Sequence, residues 1–176
     1  MLGSEYVEYI HDYLVARLWP DSDPISTEEY RSRELLESAV ARPFHSAFGQ
    51  DAYPTIIEKS AALFHSLISN HPFHNGNKRT AVMAFDMFLV ANGYFALVNN
   101  DGMYKLAEQT ASCNERRLSA EECLKNVFDA VRDWIVDFTA VKRVGRADPK
   151  ISQLYSAITK ARRKIRANSL NTRLKE

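Results

Sequence analysis

One stretch of the chain concentrates groups that do chemistry: His71-Pro72-Phe73-His74-Asn75-Gly76-Asn77-Lys78-Arg79-Thr80. A glycine, an amide and two cations stand where a polar loop runs into a long apolar segment. If that segment is a helix, its first turn exposes N–H groups with no intrahelical partner and the positive pole of the helix dipole. Phosphate is a natural occupant of such an end. Gly76 permits positive φ and close approach of a ligand to the backbone. Lys78 and Arg79 supply fixed charge, the Arg fork matching two phosphate oxygens. Asn77 can donate an amide N–H or fix the turn. His71, one loop-width away, titrates in the range useful for proton transfer. A base beside a phosphate cradle suits transfer of a phosphoryl or nucleotidyl group onto a hydroxyl. In that reading His71 takes the hydroxyl proton, while the helix end and the two cations stabilise charge on the group in transit.

Other readings of the stretch are weaker. The string GNKRT resembles the end of a Walker A loop, but the Gly-x4-Gly-Lys-Ser/Thr spacing is missing. His65, His71 and His74 follow no structural zinc spacing and have no adjacent Cys or acidic partner. His65 lies at the edge of a helix stripe and reads as a packed core histidine; His74 reads as solvent-facing. His11 and His45 carry no signal.

The elements that must position this loop read as helices. Residues 4–18 carry Tyr6, Ile10, Tyr13, Leu14 and Leu18 at helical spacing. Pro20 and Pro24 mark a loop, and Ser26 with Glu29 reads as a capping box opening a short helix. A helix follows over Arg33–Ala41. The segment 43–54, with Pro at both ends, predicts a loop or short β-hairpin carrying Phe44 and Phe48. Thr55 and Glu58 form a second capping box, opening a helix to about Ser69 with Ile57, Ala61, Phe64 and Ile68 on one face. Residues 78–93 are apolar almost all round, which predicts a buried central helix stopped by Gly93. Helices over Asp101–Ala111 and Ser119–Phe138 complete the body. The linker 141–149 precedes a last helix at about 151–167, with Lys160, Arg162, Arg163, Lys164 and Arg166 on its basic side. The expectation is a 1–140 domain followed by a 141–176 basic extension.

The loop and flanks resemble the Fic/Doc (Fido) family. HPFHNGNKRTA is similar to that family's His-Pro-Phe-x-Asp/Glu-Gly-Asn-Gly/Lys-Arg signature. Lys78 brings it nearer the Doc, or death-on-curing, branch. LLESAVARP (35–43), YPTIIEKSAALFHSL (53–67) and FLVANGY (88–94) look like Doc-type flanking helices. The resemblance covers roughly residues 1–138. It implies an all-α helical bundle with a short β-hairpin flap that docks a target protein. It also implies ATP-dependent modification of a Ser/Thr hydroxyl, and an antitoxin acting in trans. For Doc the modification is phosphorylation of elongation factor Tu, which blocks translation; for Fic it is AMP transfer. By position, His71 would be the catalytic base, Gly76 and Asn77 would shape the anion hole, and Lys78 and Arg79 would hold phosphates. The flap would fall within 43–52, with Phe44 and Phe48 at the target.

This sequence departs from the family pattern at three places. Asn75 stands where the family has the Asp or Glu that holds Mg²⁺, and a neutral amide is a weaker ligand for a hard cation. Val82 replaces a second Arg found in many Fic enzymes, which favours phosphoryl over AMP transfer. No inhibitory Ser/Thr-x3-Glu-Gly/Asn motif is present; Ser4-x3-Glu8 comes nearest, but Tyr9 follows. A catalytically weak or inactive binding module is therefore the third reading, beside kinase and AMP transferase.

Composition bounds the rest. The chain has 176 residues, 45% hydrophobic and 26% charged, which is ordinary for one globular domain. No apolar run reaches membrane-spanning length, because Asp86, Asn92 and Gly93 interrupt the best stretch. The N-terminus lacks the pattern of a secretory signal. Cys113 and Cys123 fit neither a disulfide framework nor paired zinc knuckles. These points predict a cytoplasmic protein. The net charge of +1 conceals an asymmetry. From Val141 onward 11 Lys and Arg face 2 Asp and Glu, a local charge of +9, and the first 140 residues carry −8. The basic extension could be a solvated helix face, a nucleic-acid or ribosome contact, or a dock for an acidic antitoxin.

Overall fold

The computed structural model describes residues 3–17 and 31–137. The predicted Ser26/Glu29 capping box, Leu18, Phe138, the linker and the basic C-terminal helix lie outside the described residues. The order is α1 (Ser4–Arg17), α2 (Arg33–Ala41), a single 3₁₀ turn (Arg42–Phe44), β1 (Ser46–Ala47), β2 (Gln50–Asp51), α3 (Ile56–Asn70), α4 (Asn77–Asn92), β3 (Tyr94–Ala96), α5 (Asn100–Ala111), α6 (Ala120–Trp134) and β4 (Ile135–Asp137). The fold is all-α, a helical bundle with two small hairpin-like pairings.

Local sequence sets most of these boundaries. Thr55 and Ser119 each accept a bond from the backbone N–H three residues on, and Glu58 and Glu122 return one to the cap, so both capping boxes are formed. Gly93 ends α4 in left-handed backbone, φ 93°, with its N–H bonded to Leu89 and Val90 carbonyls. In α6 Cys123, Val127 and Val131 are buried. In α1 the buried stripe is Val7, Ile10, His11 and Leu14, whereas Tyr13 is exposed.

The structure corrects three expectations. First, the centre of the bundle is α3, not α4. Every residue from Ser60 to Ile68 is buried, and α3 packs against α2, α4, α5 and α6. α4 buries one side through Asn77, Thr80, Ala81, Ala84, Phe85, Phe88 and Leu89 and leaves Asp86 at the surface. Apolar residues on the other side of α4 are half-covered rather than enclosed. Second, α6 ends at Trp134, and Ile135–Asp137 pairs antiparallel with Tyr94–Ala96. A strand pair this short has too few residues to print an alternation. Third, Cys113 and Cys123 form a disulfide that ties the turn just after α5 to the first turn of α6. Both cysteines are buried. Among the described residues no helix is long and apolar enough to cross a membrane.

Candidate active site

The predicted loop is the connection between α3 and α4, and several elements clamp it. The backbone N–H groups of Arg31 and Ser32 donate to the Pro72 carbonyl, at 2.8 and 3.1 Å. Asn70 Nδ2 donates to the Leu35 carbonyl of α2, 3.1 Å away. Phe73 is buried and stacks on the His11 ring, centroids 4.0 Å apart. His11 Nε2 lies 3.3 Å from the Asn75 carbonyl. Burial pushes the His11 pKa down, so at neutral pH it serves as a neutral donor and packing ring. α1 thus supplies one wall of the site through a histidine whose sequence position gave no signal. Its role depends on a contact across more than sixty residues.

Asn77 is the clip inside the loop. Its side chain is 3% exposed. Oδ1 accepts from the Phe73 N–H at 3.0 Å and Nδ2 donates to the Phe73 carbonyl at 2.9 Å. Nδ2 also lies 3.1 Å from His71 Nδ1. The side chain's donors and acceptor are committed to the loop itself. Of the two roles open to it, fixing the turn is the one observed.

His71 caps α3 in left-handed backbone, φ 52°, ψ 55°. A β-carbon is disfavoured there by roughly 1–2 kcal/mol, so the surrounding clamps hold the residue in place. The ring is exposed at the surface. Its pKa is lowered, first by partial burial and then by the nearby charges of Arg31 and Lys78. Each of these causes favours the neutral imidazole over the charged one.

α4 begins at Gly76, φ 75°, with no side-chain cap. The first ladder bond is Thr80 N–H to the Gly76 carbonyl, 2.9 Å. The N–H groups ahead of it lie outside the ladder, and the dipole's positive end is not covered by a capping side chain. Lys78 and Arg79 are half-buried on the first turn. Lys78 Nζ pairs with the Glu108 carboxylate of α5, both side chains being about two-fifths exposed. Glu108 is a second site residue that the sequence did not mark, because α5 shows no motif there.

Gly76, Lys78, Arg79 and His71 are thus brought to one end of α4. His74 is exposed beside them. His65 is not part of the site: it is buried in α3, its pKa pushed down to about 4 by burial and by Arg42. The predicted flap is a two-residue hairpin, Ser46 opposite Asp51 and Ala47 opposite Gln50. Phe48 and Gly49 form its turn with φ 53° and 78°. Both positive values match the turn that suits tight hairpins. The two flap phenylalanines part company. Phe48 is fully exposed at the tip, whereas Phe44 packs edge-on against Phe88 with ring centroids 6.4 Å apart and lies under Lys59. Phe44 is half-buried and anchors the base of the hairpin. An Asp51–Lys59 ion pair at 2.7 Å ties the hairpin to α3.

The donor set does not fit an all-protein Mg²⁺ site. Asn75 offers a neutral amide, and among the described residues no group of three or more His, Cys, Asp or Glu is placed to hold a metal. Mg²⁺ prefers carboxylates together with phosphate oxygens, and the Asn75 amide is neither.

Comparison with known proteins gives a consistent picture. The Fic/DOC family matches residues 2–89, half of the chain. A curated relative named Toxin Doc, from Mycolicibacterium smegmatis, is 51% identical over 63 residues, 36% of this chain and 48% of the relative. The chain spans about half the length of that curated relative. No solved structure matches the chain. With the family match covering the α3–α4 loop and the helices that clamp it, the chain belongs to the Fic/DOC family.

Proposed function

We propose that this protein is a Doc-like toxin, a transferase that moves a phosphoryl group from ATP to a Ser or Thr hydroxyl of a translation factor of the elongation factor Tu type. In this reading it works in the cytoplasm and an antitoxin protein restrains it. One observation carries the proposal. The glycine-opened start of α4 has no capping side chain, presents Lys78 and Arg79, and lies beside the His71 imidazole, whose Nδ1 is 3.1 Å from the Asn77 amide. The hydroxyl oxygen attacks the γ-phosphorus, the bond to the bridging oxygen breaks and ADP leaves. The hydroxyl proton goes to His71. The helix end and the two cations stabilise charge on the equatorial oxygens. Phe48, exposed at the flap tip, meets the target protein.

ATP labelled at the α or γ position tests this on a bacterial lysate. Label retained from the γ position makes the protein a kinase. Label retained only from the α position makes it an AMP transferase, with pyrophosphate as the leaving group. His71→Ala should reduce either transfer by at least a hundredfold; unchanged transfer by that variant removes His71 from the mechanism. No label from either position, restored by Asn75→Asp, would mean that a metal ligand is what this chain lacks. No label with either protein, together with salt-dependent RNA binding lost on deleting 141–176, would identify a binding module.

A further inference from the structure

The bonds around Asn77 decide which nitrogen of His71 carries the proton. The amide cannot be turned over. Its oxygen faces the Phe73 N–H and its nitrogen faces the Phe73 carbonyl. Reversing it would set donor against donor and acceptor against acceptor in a buried place. The atom 3.1 Å from His71 Nδ1 is therefore an N–H donor. Asn77 Nδ2 has two hydrogens, one for the Phe73 carbonyl and one for the ring. Nδ1 must then accept, and the neutral ring carries its hydrogen on Nε2.

We infer that Asn77 holds resting His71 in the Nε2–H form, so that the ring first serves as a hydrogen-bond donor to the ligand's phosphate and accepts a proton only after the Asn77–His71 contact opens. This rests on the phosphate reading of the site and goes beyond it. Among the described residues no protein group bonds Nε2, and the residue is exposed. At rest the end of α4 gathers the first-turn N–H groups, the Lys78 and Arg79 cations and an imidazole N–H, with the Glu108 carboxylate paired to Lys78. Such a site suits an anion, and the ring itself holds no open lone pair for a hydroxyl proton while Nδ1 accepts from Asn77. Two routes make the ring a base. Either the Nδ1 lone pair is released from Asn77 and takes the proton, giving an imidazolium, or the ring proton first shifts from Nε2 to Nδ1. The second route would place Nδ1–H against Nδ2–H. Both routes break the same contact, so the ring becomes a base only when that contact opens, and Asn77 is the positioning residue that controls it.

Nitrogen-15 spectra of the imidazoles test this in the unmodified protein at about pH 8, above the ordinary histidine pKa of ~6.5. The expected result is a single His71 form with a protonated Nε2 and an unprotonated, hydrogen-bonded Nδ1. A predominant Nδ1–H signal overturns the inference. The functional arm measures binding of inorganic pyrophosphate at the same pH. His71→Ala should weaken it about tenfold, the effect of losing a hydrogen bond to a charged acceptor. Equal affinity in that variant overturns the donor role even if the tautomer is as stated. If the unmodified protein binds no pyrophosphate, the phosphate reading itself and the donor role fall together. The spectra then still decide the tautomer on their own.

Discussion

Two turns in this molecule solve the same geometric problem with different bonds. The α3–α4 turn and the α5–α6 turn each join packed helices through a left-handed non-glycine residue, His71 at φ 52° and Arg117 at φ 57°. The first is held by a buried amide and by α1 and α2 closing on Pro72, Phe73 and Asn75. The second is held by the Cys113–Cys123 bond and by the Leu118 N–H donating to the Cys113 carbonyl at 3.0 Å. Hydrogen bonds can be exchanged for a ligand's, whereas a disulfide changes only by redox chemistry. The turn carrying the reactive groups is the one with exchangeable bonds. The other fixes α5, and with it Glu108, against the bundle.

Breaking the amide clip has the largest expected effect. Asn77→Ala removes the two side-chain bonds to the Phe73 N–H and carbonyl in a buried place, and each such loss costs roughly 1–3 kcal/mol. A destabilisation of about 3 kcal/mol or more is expected, read as a lower urea midpoint at unchanged slope. Asn77→Asp keeps an acceptor for the Phe73 N–H and loses both donors, so it should fall between the native protein and Asn77→Ala. Equal stability of all three would mean that α1 and α2 alone hold the turn.

The disulfide comes next. It closes a loop between positions ten apart in sequence, for which chain entropy gives about 2–3 kcal/mol. Cys113→Ser with Cys123→Ser, or reduction by thiol, should lower the denaturation midpoint by that amount and leave pyrophosphate binding at the α3–α4 turn unchanged. Loss of binding together with the bond would show that the two turns are coupled through α5. A buried disulfide is uncommon in a reducing cytoplasm. Thiol labelling of protein extracted under acid quench would report how much of it forms in the cell.

How much of this was legible in sequence follows from the range of the interactions involved. Both capping boxes and the Gly93 stop are agreements between residues three or four apart, and the chain prints them directly. So does the motif loop, whose glycine, amide and cations are contiguous. The β3–β4 pairing joins segments some forty residues apart with three residues each, too few for periodicity to appear. The disulfide needed knowledge of how the turn between α5 and α6 folds back, bringing Cα113 and Cα123 to 6.1 Å. The exchange of α3 for α4 as the centre has the same cause. Both are apolar, and which is enclosed depends on where α2, α5 and α6 pack. His11 and Glu108 reach the site from other helices, so no local pattern could mark them.

Acid separates the two turns by pH. His65 lies in the helix that feeds the first turn, and its pKa is pushed down to about 4. The unfolded chain takes up this proton near pH ~6.5 and the folded chain only near 4, so stability is lost as pH falls through that window. About 2 kcal/mol should disappear between roughly pH 7 and pH 5. His65→Leu should flatten that slope. At the second turn, the Glu122 carboxyl is held below its usual range by the Ser119 backbone N–H and hydroxyl. That contribution is present above the ordinary carboxylate pKa and is lost only as pH falls below it. Denaturation profiles showing an unchanged slope in the His65 variant would place the acid-sensitive group elsewhere.

The smallest expected effect bears on the link between the turns. Glu108 sits on the helix that the disulfide anchors and neutralises Lys78 on the helix that the motif opens. Both side chains are substantially exposed, so their pairing is worth little in stability, and Glu108→Gln should leave the urea midpoint within about 0.5 kcal/mol. Its consequence is for the ligand. A phosphate entering at Gly76 competes with the Glu108 carboxylate for Lys78. Removing that carboxylate should tighten pyrophosphate binding about two- to threefold at low salt, with the gain shrinking as ionic strength rises. Weaker binding in Glu108→Gln would instead mean that the carboxylate holds Lys78 in a productive position. The covalent turn would then help to build the exchangeable one.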